Sequence, residues 1–141
     1  MQTFLPYENF ALTAKSLDMK RLGKQRVETL QVIKALSDVN YGWRSHPAVK
    51  MWQGYGPVLL AYQQAVCDEW TSRGYRDTCL EKSRIAAEPL MRIDKFCTPD
   101  WLGNEALHLS HRSNLIRKFP EFYRPIFGDD VPDDLEYVWP V

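Results

Sequence analysis

Apolar residues recur every three or four positions along most of the chain, and prolines and glycines separate the segments that show this spacing. The spacing follows the turn of an α-helix and therefore predicts amphipathic helices. Alternation of apolar and polar residues, which would predict strands, is nearly absent. We predict an all-α fold: one compact domain of about three longer helices together with several short ones.

The longest helix is predicted in the first quarter of the chain. Asp18 is a suitable N-cap, because its carboxylate can accept a backbone hydrogen bond from the first turn, and the pattern continues to about Leu36. At roughly 100° per residue, Arg26 falls within the apolar stripe of this helix, so its guanidinium must reach solvent, find a partner or line a pocket. The apolar stripe consists of Met19, Leu22, Leu30, Ile33 and Leu36.

Proline and glycine mark the bounds of the next helices. After a loop over residues 41–46, Pro47 can begin a short helix that continues through Trp52. Pro57 then begins a longer helix, and Gly74 stands where a glycine is expected to end it.

The last part of the chain shows weaker patterns. The segment 77–96 is expected to be partly helical and broken near Pro89, because proline removes a helical hydrogen bond. Asn104 can cap a final clear helix, which Pro120 ends. An aromatic, proline-rich strip follows over residues 119–128.

Size and composition indicate a folded globular protein. The chain has 141 residues, and 45% of them are hydrophobic, which is enough to bury a core. No apolar run approaches the roughly 20 residues that span a bilayer, and the N-terminus lacks the pattern of a signal peptide. We therefore expect a cytoplasmic protein that does not associate with a membrane. Three widely spaced cysteines favour reduced thiols over a disulfide framework.

The net charge of zero hides an uneven distribution. Residues 129–141 contain five acidic residues and no basic ones, so residues 1–128 carry a net positive charge. Basic residues cluster in residues 15–34 and again in residues 112–124. Such patches favour phosphate contact, although solvated helix faces would give the same pattern. We predict a helical domain over residues 1–128 and an acidic C-terminal tail over residues 129–141.

The N-terminal amine is a candidate nucleophile. An α-amino group has an ordinary pKa of roughly 7.7–8.0, against about 10.4 for a lysine, so at pH 7 it is neutral far more often and can form a Schiff base. Gln2 is large enough that we expect Met1 to be retained with a free amine. Glu28 on the first long helix is a candidate proton carrier. Lys24 and Glu28 could also be an ordinary exposed pair one helical turn apart.

Three residues on one face of the last clear helix form a second candidate group. His108, His111 and Arg112 are spaced so that they could contact phosphates or support a catalytic carboxylate, while a partly buried, hydrogen-bonded face is the alternative. A third metal ligand at a standard spacing is missing, so we predict no metal site. In the aromatic strip, Tyr123 and Arg124 place a ring beside a cation, which is suitable for stacking on an exposed base.

The order of these elements resembles the pyrimidine-dimer DNA glycosylase family, the endonuclease V type found in phages and bacteria. The segment Lys24-Gln25-Arg26-Val27-Glu28 looks like the Arg-Glu motif of the family's first long helix, and Arg73-Gly74-Tyr75 looks like its helix terminus. The strip from Pro120 to Gly128 is similar to the aromatic tail of those enzymes. The segments 21–28, 46–52 and 110–115 look like those of closer relatives of this type.

The resemblance implies a helical enzyme that bends double-stranded DNA and flips a nucleotide. It implies attack on the sugar C1′ by the N-terminal amine, with Glu28 transferring protons and with no metal or organic cofactor. Val27 separates the Arg and Glu that are adjacent in the family motif, so Glu28 is expected roughly 200° from Arg26 around the helix. The two side chains cannot then point into one pocket unless the helix is contacted on two sides.

We therefore predict a monomeric DNA N-glycosylase with abasic-site lyase activity that acts on pyrimidine dimers or on a modified base. The predicted catalytic residues are Met1, Glu28 and Arg26. The predicted DNA-binding residues are Arg21, Lys24, Lys20, His108, His111, Arg112, Tyr123 and Arg124. Two alternatives stay open: Lys24 as the nucleophile, and a helical nucleic-acid-binding protein without catalytic activity.

Overall fold

Seven α-helices form along the chain in the computed structural model, which describes residues 1–141, and no strand is present. In order they are α1 (Phe10–Ser16), α2 (Met19–Ser37), α3 (Pro47–Lys50), α4 (Gly56–Ser72), α5 (Cys79–Ile93), α6 (Glu105–Lys118) and α7 (Pro120–Phe127). The all-α prediction is confirmed. Helices α2, α4, α5 and α6 have 14 or more residues each, one long helix more than the sequence pattern predicts. None of the seven combines the length and the apolar character that crossing a membrane requires.

Helix α2 is the central element and packs against α3, α4 and α5. Asp18 caps its N-terminus as predicted, because its carboxylate accepts the Arg21 N–H at 3.4 Å. Leu22 and Ile33 from the predicted stripe are fully buried, whereas Met19 at the start of the helix stays exposed. The inner face of α2 therefore forms the middle of the core.

Helix α5 is continuous, which corrects the predicted break near Pro89. Pro89 lies inside the helix on its exposed side. Its missing N–H leaves the carbonyl of Ile85 without a helical partner, and Ile85 is also on the exposed side, where water can bond that carbonyl. The proline therefore costs less here than it would on a buried face.

The aromatic strip is largely helical. Pro120 ends α6 as predicted, and it also lies in the first turn of α7, where a proline's missing N–H needs no partner. Tyr123 is the fully buried residue of α7. Beyond α7, residues 129–141 return along the body, and Val131, Tyr137 and Trp139 pack against the core.

A glycine allows α4 and α5 to approach closely. A Cβ atom at Gly56, in the first turn of α4, would lie 2.6 Å from Leu90 Cβ and 2.9 Å from Asp94 Oδ2. The Gly56 N–H donates to Asp94 Oδ2 at 3.0 Å, whereas Tyr55, the residue before α4, provides no side-chain cap. The end of α5 therefore caps the start of α4 only because position 56 has no side chain.

We predict that Gly56→Ala lowers the free energy of unfolding by about 1–3 kcal/mol, because the added methyl group must displace the α5 backbone. Gly42→Ala is the matched control, since a Cβ there has no heavy atom within 4 Å. Its effect should stay within about 0.5 kcal/mol. Urea unfolding of the two variants measures both values, and equal stability of the two would contradict the packing argument.

Candidate active site

The first six residues have no regular secondary structure, yet most of them are buried against α2 and α4. Gln25 of α2 holds this N-terminal segment at two points, since its Oε1 accepts the Phe4 N–H at 3.0 Å and its Nε2 donates to the Gln2 carbonyl at 2.8 Å. The Tyr62 hydroxyl of α4 donates to the Phe4 carbonyl at 2.6 Å. Gln25 is only 1% exposed, so water does not compete for these bonds. The start of the chain is therefore fixed in place.

Two buried histidines of α6 hold the next residue, Leu5. The Leu5 N–H donates to His111 Nδ1 at 2.9 Å, and the Leu5 carbonyl lies 2.8 Å from His108 Nδ1. Because the Gly103 N–H donates to His108 Nε2 at 3.0 Å, a neutral His108 carries its proton on Nδ1 and donates it to Leu5. Burial, with a smaller effect from His108, lowers the pKa of His111 to about 3, which keeps that ring neutral and able to accept.

These contacts correct the predicted phosphate contacts of His108, His111 and Arg112. The two histidines are 2% and 1% exposed, so they cannot reach DNA, and their hydrogen bonds go to the backbone. Arg112 Nη1 donates to the Pro6 carbonyl at 2.7 Å, and its other nitrogen pairs with Glu105. All three residues hold the segment that leads to Met1.

A cavity of about 380 Å³ opens where this segment begins. It is lined by Met1, Gln2, Phe4, Lys20, Arg21, Lys24, Gln25, Glu28, Lys118 and Tyr137. Five residues that the sequence assigned to catalysis or DNA binding therefore meet here: Met1, Lys20, Arg21, Lys24 and Glu28. No group of three or more histidine, cysteine, aspartate or glutamate side chains is placed to hold a metal ion.

Glu28 lies beside the first peptide bond of the chain. Its Oε2 accepts the Gln2 N–H at 3.2 Å, and its Oε1 lies 3.6 Å from Lys24 Nζ. The Glu28 side chain is 16% exposed, whereas that of Lys24 is 73% exposed. A carboxylate is thus held at the base of the cavity, one residue from the α-amine of Met1.

Positive charge surrounds this carboxylate. Lys20, Arg21, Lys24 and Lys118 all line the cavity, and Arg21 also pairs with Asp18 at 3.2 Å. Partial desolvation lowers the pKa of Lys118, and the neighbouring cations Arg21, Arg117 and Lys24 lower it further, while Glu28 opposes them. Four cations around one carboxylate favour the binding of a phosphate backbone.

The sequence did not single out Lys118 or Tyr137 as site residues. Lys118 stands in the second basic run, so its charge was visible, but nothing in the spacing indicated that the end of α6 meets the start of α2. Tyr137 lies in the acidic tail, where no periodic pattern shows which side chains turn inward.

His46 is a further residue near the N-terminus that the sequence did not assign. It caps α3, because its Nδ1 accepts the Ala48 N–H at 3.0 Å. Burial and the charge of the N-terminal amine lower the pKa of His46, whereas Glu28 raises it. The ring therefore lies within electrostatic range of both proposed catalytic groups, although it is not part of the cavity wall.

Arg26 is not brought to the cavity. Its Nη1 lies 2.6 Å from Asp77 Oδ1, and its guanidinium stacks over Trp70 at 4.3 Å from the ring centroid. Burial alone would raise the pKa of Asp77, but hydrogen bonds from the Leu80 N–H and from Arg26 outweigh it and hold the pKa below its usual range. Arg26 therefore joins α2 to the start of α5, on the side of α2 away from Glu28, and the structure does not place it for catalysis.

Tyr123 and Arg124 also lie away from the cavity. The Tyr123 hydroxyl accepts the Asp18 N–H at 2.9 Å and bonds the Asp18 carboxylate, so this buried ring ties α7 to the start of α2. Arg124 Nη1 donates to the Val131 carbonyl at 2.5 Å. Tyr123 is fully buried, which corrects its predicted stacking on a base, whereas the DNA contact of Arg124 stays a prediction.

Residues 1–83 match the model of a protein family described as pyrimidine dimer DNA glycosylase. The match covers α1 to α4 and the beginning of α5, and it includes every cavity residue except Lys118 and Tyr137. Neither the curated proteins nor the solved structures contain a significant match to this chain.

The buried state of His111 predicts that acid destabilises the protein. The pKa of His111 is depressed from 6.5 to about 3, so its contribution to stability is complete above pH 6.5 and is lost as the pH falls toward 3. We expect the free energy of unfolding to fall by about 2 kcal/mol between pH 7 and pH 5, because only the unfolded chain binds this proton. Urea unfolding at the two pH values measures the change.

His111→Gln provides the control for this prediction. The variant should be less stable at pH 7, because Leu5 loses its partner, but its stability should change less between pH 7 and pH 5. His46 has a lowered pKa as well, so part of the pH dependence should remain. An unchanged pH dependence in the variant would show that His111 is not the group responsible.

Proposed function

The chain belongs to the pyrimidine dimer DNA glycosylase family, and from this we propose that it excises a pyrimidine from damaged double-stranded DNA by amine attack at C1′ and then cleaves the strand. The observation that carries the proposal is the meeting of Met1 and Glu28 at one cation-lined cavity. An amine and a carboxylate are the two groups that this chemistry requires.

In the first step, the lone pair of the Met1 α-amine forms a bond to the sugar C1′. The glycosidic bond between C1′ and the base nitrogen breaks, and the base leaves with that electron pair and takes up a proton. Opening of the sugar ring, with the C1′–O4′ bond breaking and O4′ taking up a proton, gives an iminium ion between Met1 and C1′. The amine must be deprotonated to attack, and the Glu28 carboxylate is proposed to receive that proton, because it accepts the N–H of the next residue, Gln2.

In the second step, the iminium ion acidifies the hydrogens on C2′. The Glu28 carboxylate removes one of them, a double bond forms between C2′ and C3′, and the 3′-phosphate leaves with the electrons of the C3′–O bond. Water then hydrolyses the imine and regenerates the Met1 amine. The hydrogen bond between Glu28 and the Gln2 N–H supports this role, because it keeps the carboxylate beside the residue that follows the nucleophile.

The cations of the cavity are proposed to hold the DNA backbone. Lys20, Lys24 and Lys118 are exposed and line the cavity, and Arg21, which also lines it, forms an ion pair with Asp18. Phosphate contacts of this kind carry most of the salt dependence of DNA binding. They also position the sugar without reading the sequence.

Two lysines of the cavity, Lys24 and Lys118, are alternative nucleophiles to the α-amine of Met1. Lys24 is largely exposed, and its ammonium forms an ion pair with Glu28. Lys118 is the stronger competitor, since desolvation and neighbouring cations lower its pKa. The α-amine remains the proposed nucleophile, because an α-amino group is inherently less basic than a lysine side chain.

We predict that borohydride traps a covalent complex between the protein and an oligonucleotide that carries an abasic site, because reduction fixes the imine. Selective acetylation of the α-amine should abolish the complex, and peptide mapping of the trapped species should find the adduct on Met1. Lys24→Ala and Lys118→Ala should both still give the adduct. An adduct mapped to either lysine would contradict the assignment, and absence of trapping together with salt-sensitive binding would indicate a binding protein without this chemistry.

We also predict that Glu28→Gln lowers the rate of abasic-site cleavage by about 10²–10⁴-fold, the usual contribution of a general base. The amide oxygen can still accept the Gln2 N–H, so the fold and DNA affinity should change little. Glu88→Gln is the matched control, because Glu88 is exposed on α5 and pairs with Arg92. Single-turnover cleavage of the same oligonucleotide measures both variants, and equal rates would remove Glu28 from the mechanism.

A further inference from the structure

The segment that follows α7 is attached to the wall of the proposed active site. The Leu135 N–H donates to Ser113 Oγ at 3.0 Å, and the Val138 N–H donates to Ser110 Oγ at 3.1 Å. Asn114 Nδ2 donates to the Leu135 carbonyl at 3.0 Å. Three side chains of α6 therefore hold the backbone on both sides of residue 137, which lies outside the residues that match the family model.

Tyr137 is held so that its ring forms part of the cavity wall. The ring makes an edge contact with His111, at 5.3 Å between centroids and 71° between planes, and a tilted contact with Trp139 at 5.6 Å. Burial raises the pKa of Tyr137 to about 12, while Arg117 and Gln2 act to lower it. The hydroxyl therefore stays protonated near neutral pH and can donate a hydrogen bond.

The Gln2 side chain lies beside Tyr137 on the same wall, and its amide nitrogen has no acceptor at hydrogen-bonding geometry. Its Oε1 accepts the Thr3 N–H at 2.9 Å, but its Nε2 is buried and has no hydrogen-bond partner. The residue is only 5% exposed. A buried amide without a partner is unfavourable, so a bound ligand gains affinity if the Gln2 side chain turns toward the cavity and donates to one of its acceptors.

We propose that Tyr137 and Gln2 form the face of the cavity that receives an unstacked base: the Tyr137 ring packs on the base, and the Gln2 amide donates to a base carbonyl oxygen. The inference rests on the proposed function, because it names what the cavity takes up during base excision. A cavity of about 380 Å³ is in the lower part of the roughly 300–1,000 Å³ range of small-molecule sites, which fits a single nucleoside.

This role differs from that of Met1 and Glu28, because it concerns the base and not the sugar. An abasic site has no base to contact, so cleavage there should not require Tyr137 or Gln2. Base excision should require both. The ratio of the two rates therefore separates a base-contacting residue from one that only supports the fold, since loss of folding would lower both rates together.

The test compares single-turnover rates on duplexes that carry a thymine dimer or an oxidised pyrimidine with rates on the same duplex carrying an abasic site. Tyr137→Ala should slow excision about ten- to hundredfold more than it slows abasic cleavage, the usual effect of losing one stacking contact. Tyr137→Phe keeps the ring and should retain most of the excision rate. Gln2→Met, which lacks the donor and keeps a large second residue, should also lower the ratio.

Val138→Ala is the matched control, since this side chain belongs to the same segment, is not part of the cavity wall and leaves the backbone bond to Ser110 in place. Both of its rates should equal those of the unmodified protein. Equal effects of Tyr137→Ala on the two rates, or no effect on either, would overturn the inference while leaving the proposed function intact. If the unmodified protein cleaves neither kind of substrate, both proposals are wrong.

Discussion

The structure depends on one buried side chain, the amide of Gln25, which binds the start of the chain to the central helix. Its two hydrogen bonds satisfy the Phe4 N–H and the Gln2 carbonyl where water cannot reach them. Gln25 and Glu28 are three residues apart, so they lie on neighbouring turns of the same face of α2. The contact that fixes the N-terminal segment therefore also fixes the distance between the chain's first residues and the carboxylate. His108 and His111 complete the attachment at Leu5.

This arrangement divides α2 into two faces with different roles. On one side, Arg26 is neutralised by Asp77 and covered by Trp70, so its charge holds helices together. On the other side, Glu28 lies beside the N-terminus. The four cations that line the same cavity, Lys20, Arg21, Lys24 and Lys118, outnumber this one carboxylate. The single residue Val27 between Arg26 and Glu28 produces this division, because each added residue turns the side chain by roughly 100°.

Local features of the helices could be predicted from the sequence. Asp18 and Asn104 are N-caps, and Pro120 separates two helices, because each of these residues acts through the backbone within its own turn. Pro89 was misjudged because its cost depends on whether the freed carbonyl faces water, which is a tertiary property. The phosphate contacts assigned to His108 and His111 and the base stacking assigned to Tyr123 were wrong for a related reason: a polar side chain on a helix face can meet solvent or a buried backbone group.

The sequence by itself determined the caps and approximate bounds of α2, α4 and α6, which groups could act as nucleophile and proton carrier, and that Arg26 and Glu28 must point in different directions. Helical periodicity fixes these properties, since it sets the angle between side chains on one helix. Only the tertiary structure decided what meets each face. It brought Lys118 and Tyr137 from the distant end of the chain to the cavity at Met1, and it buried the histidines against Leu5. Such neighbours follow from the packing of helices that are far apart in sequence, and no local pattern encodes that packing.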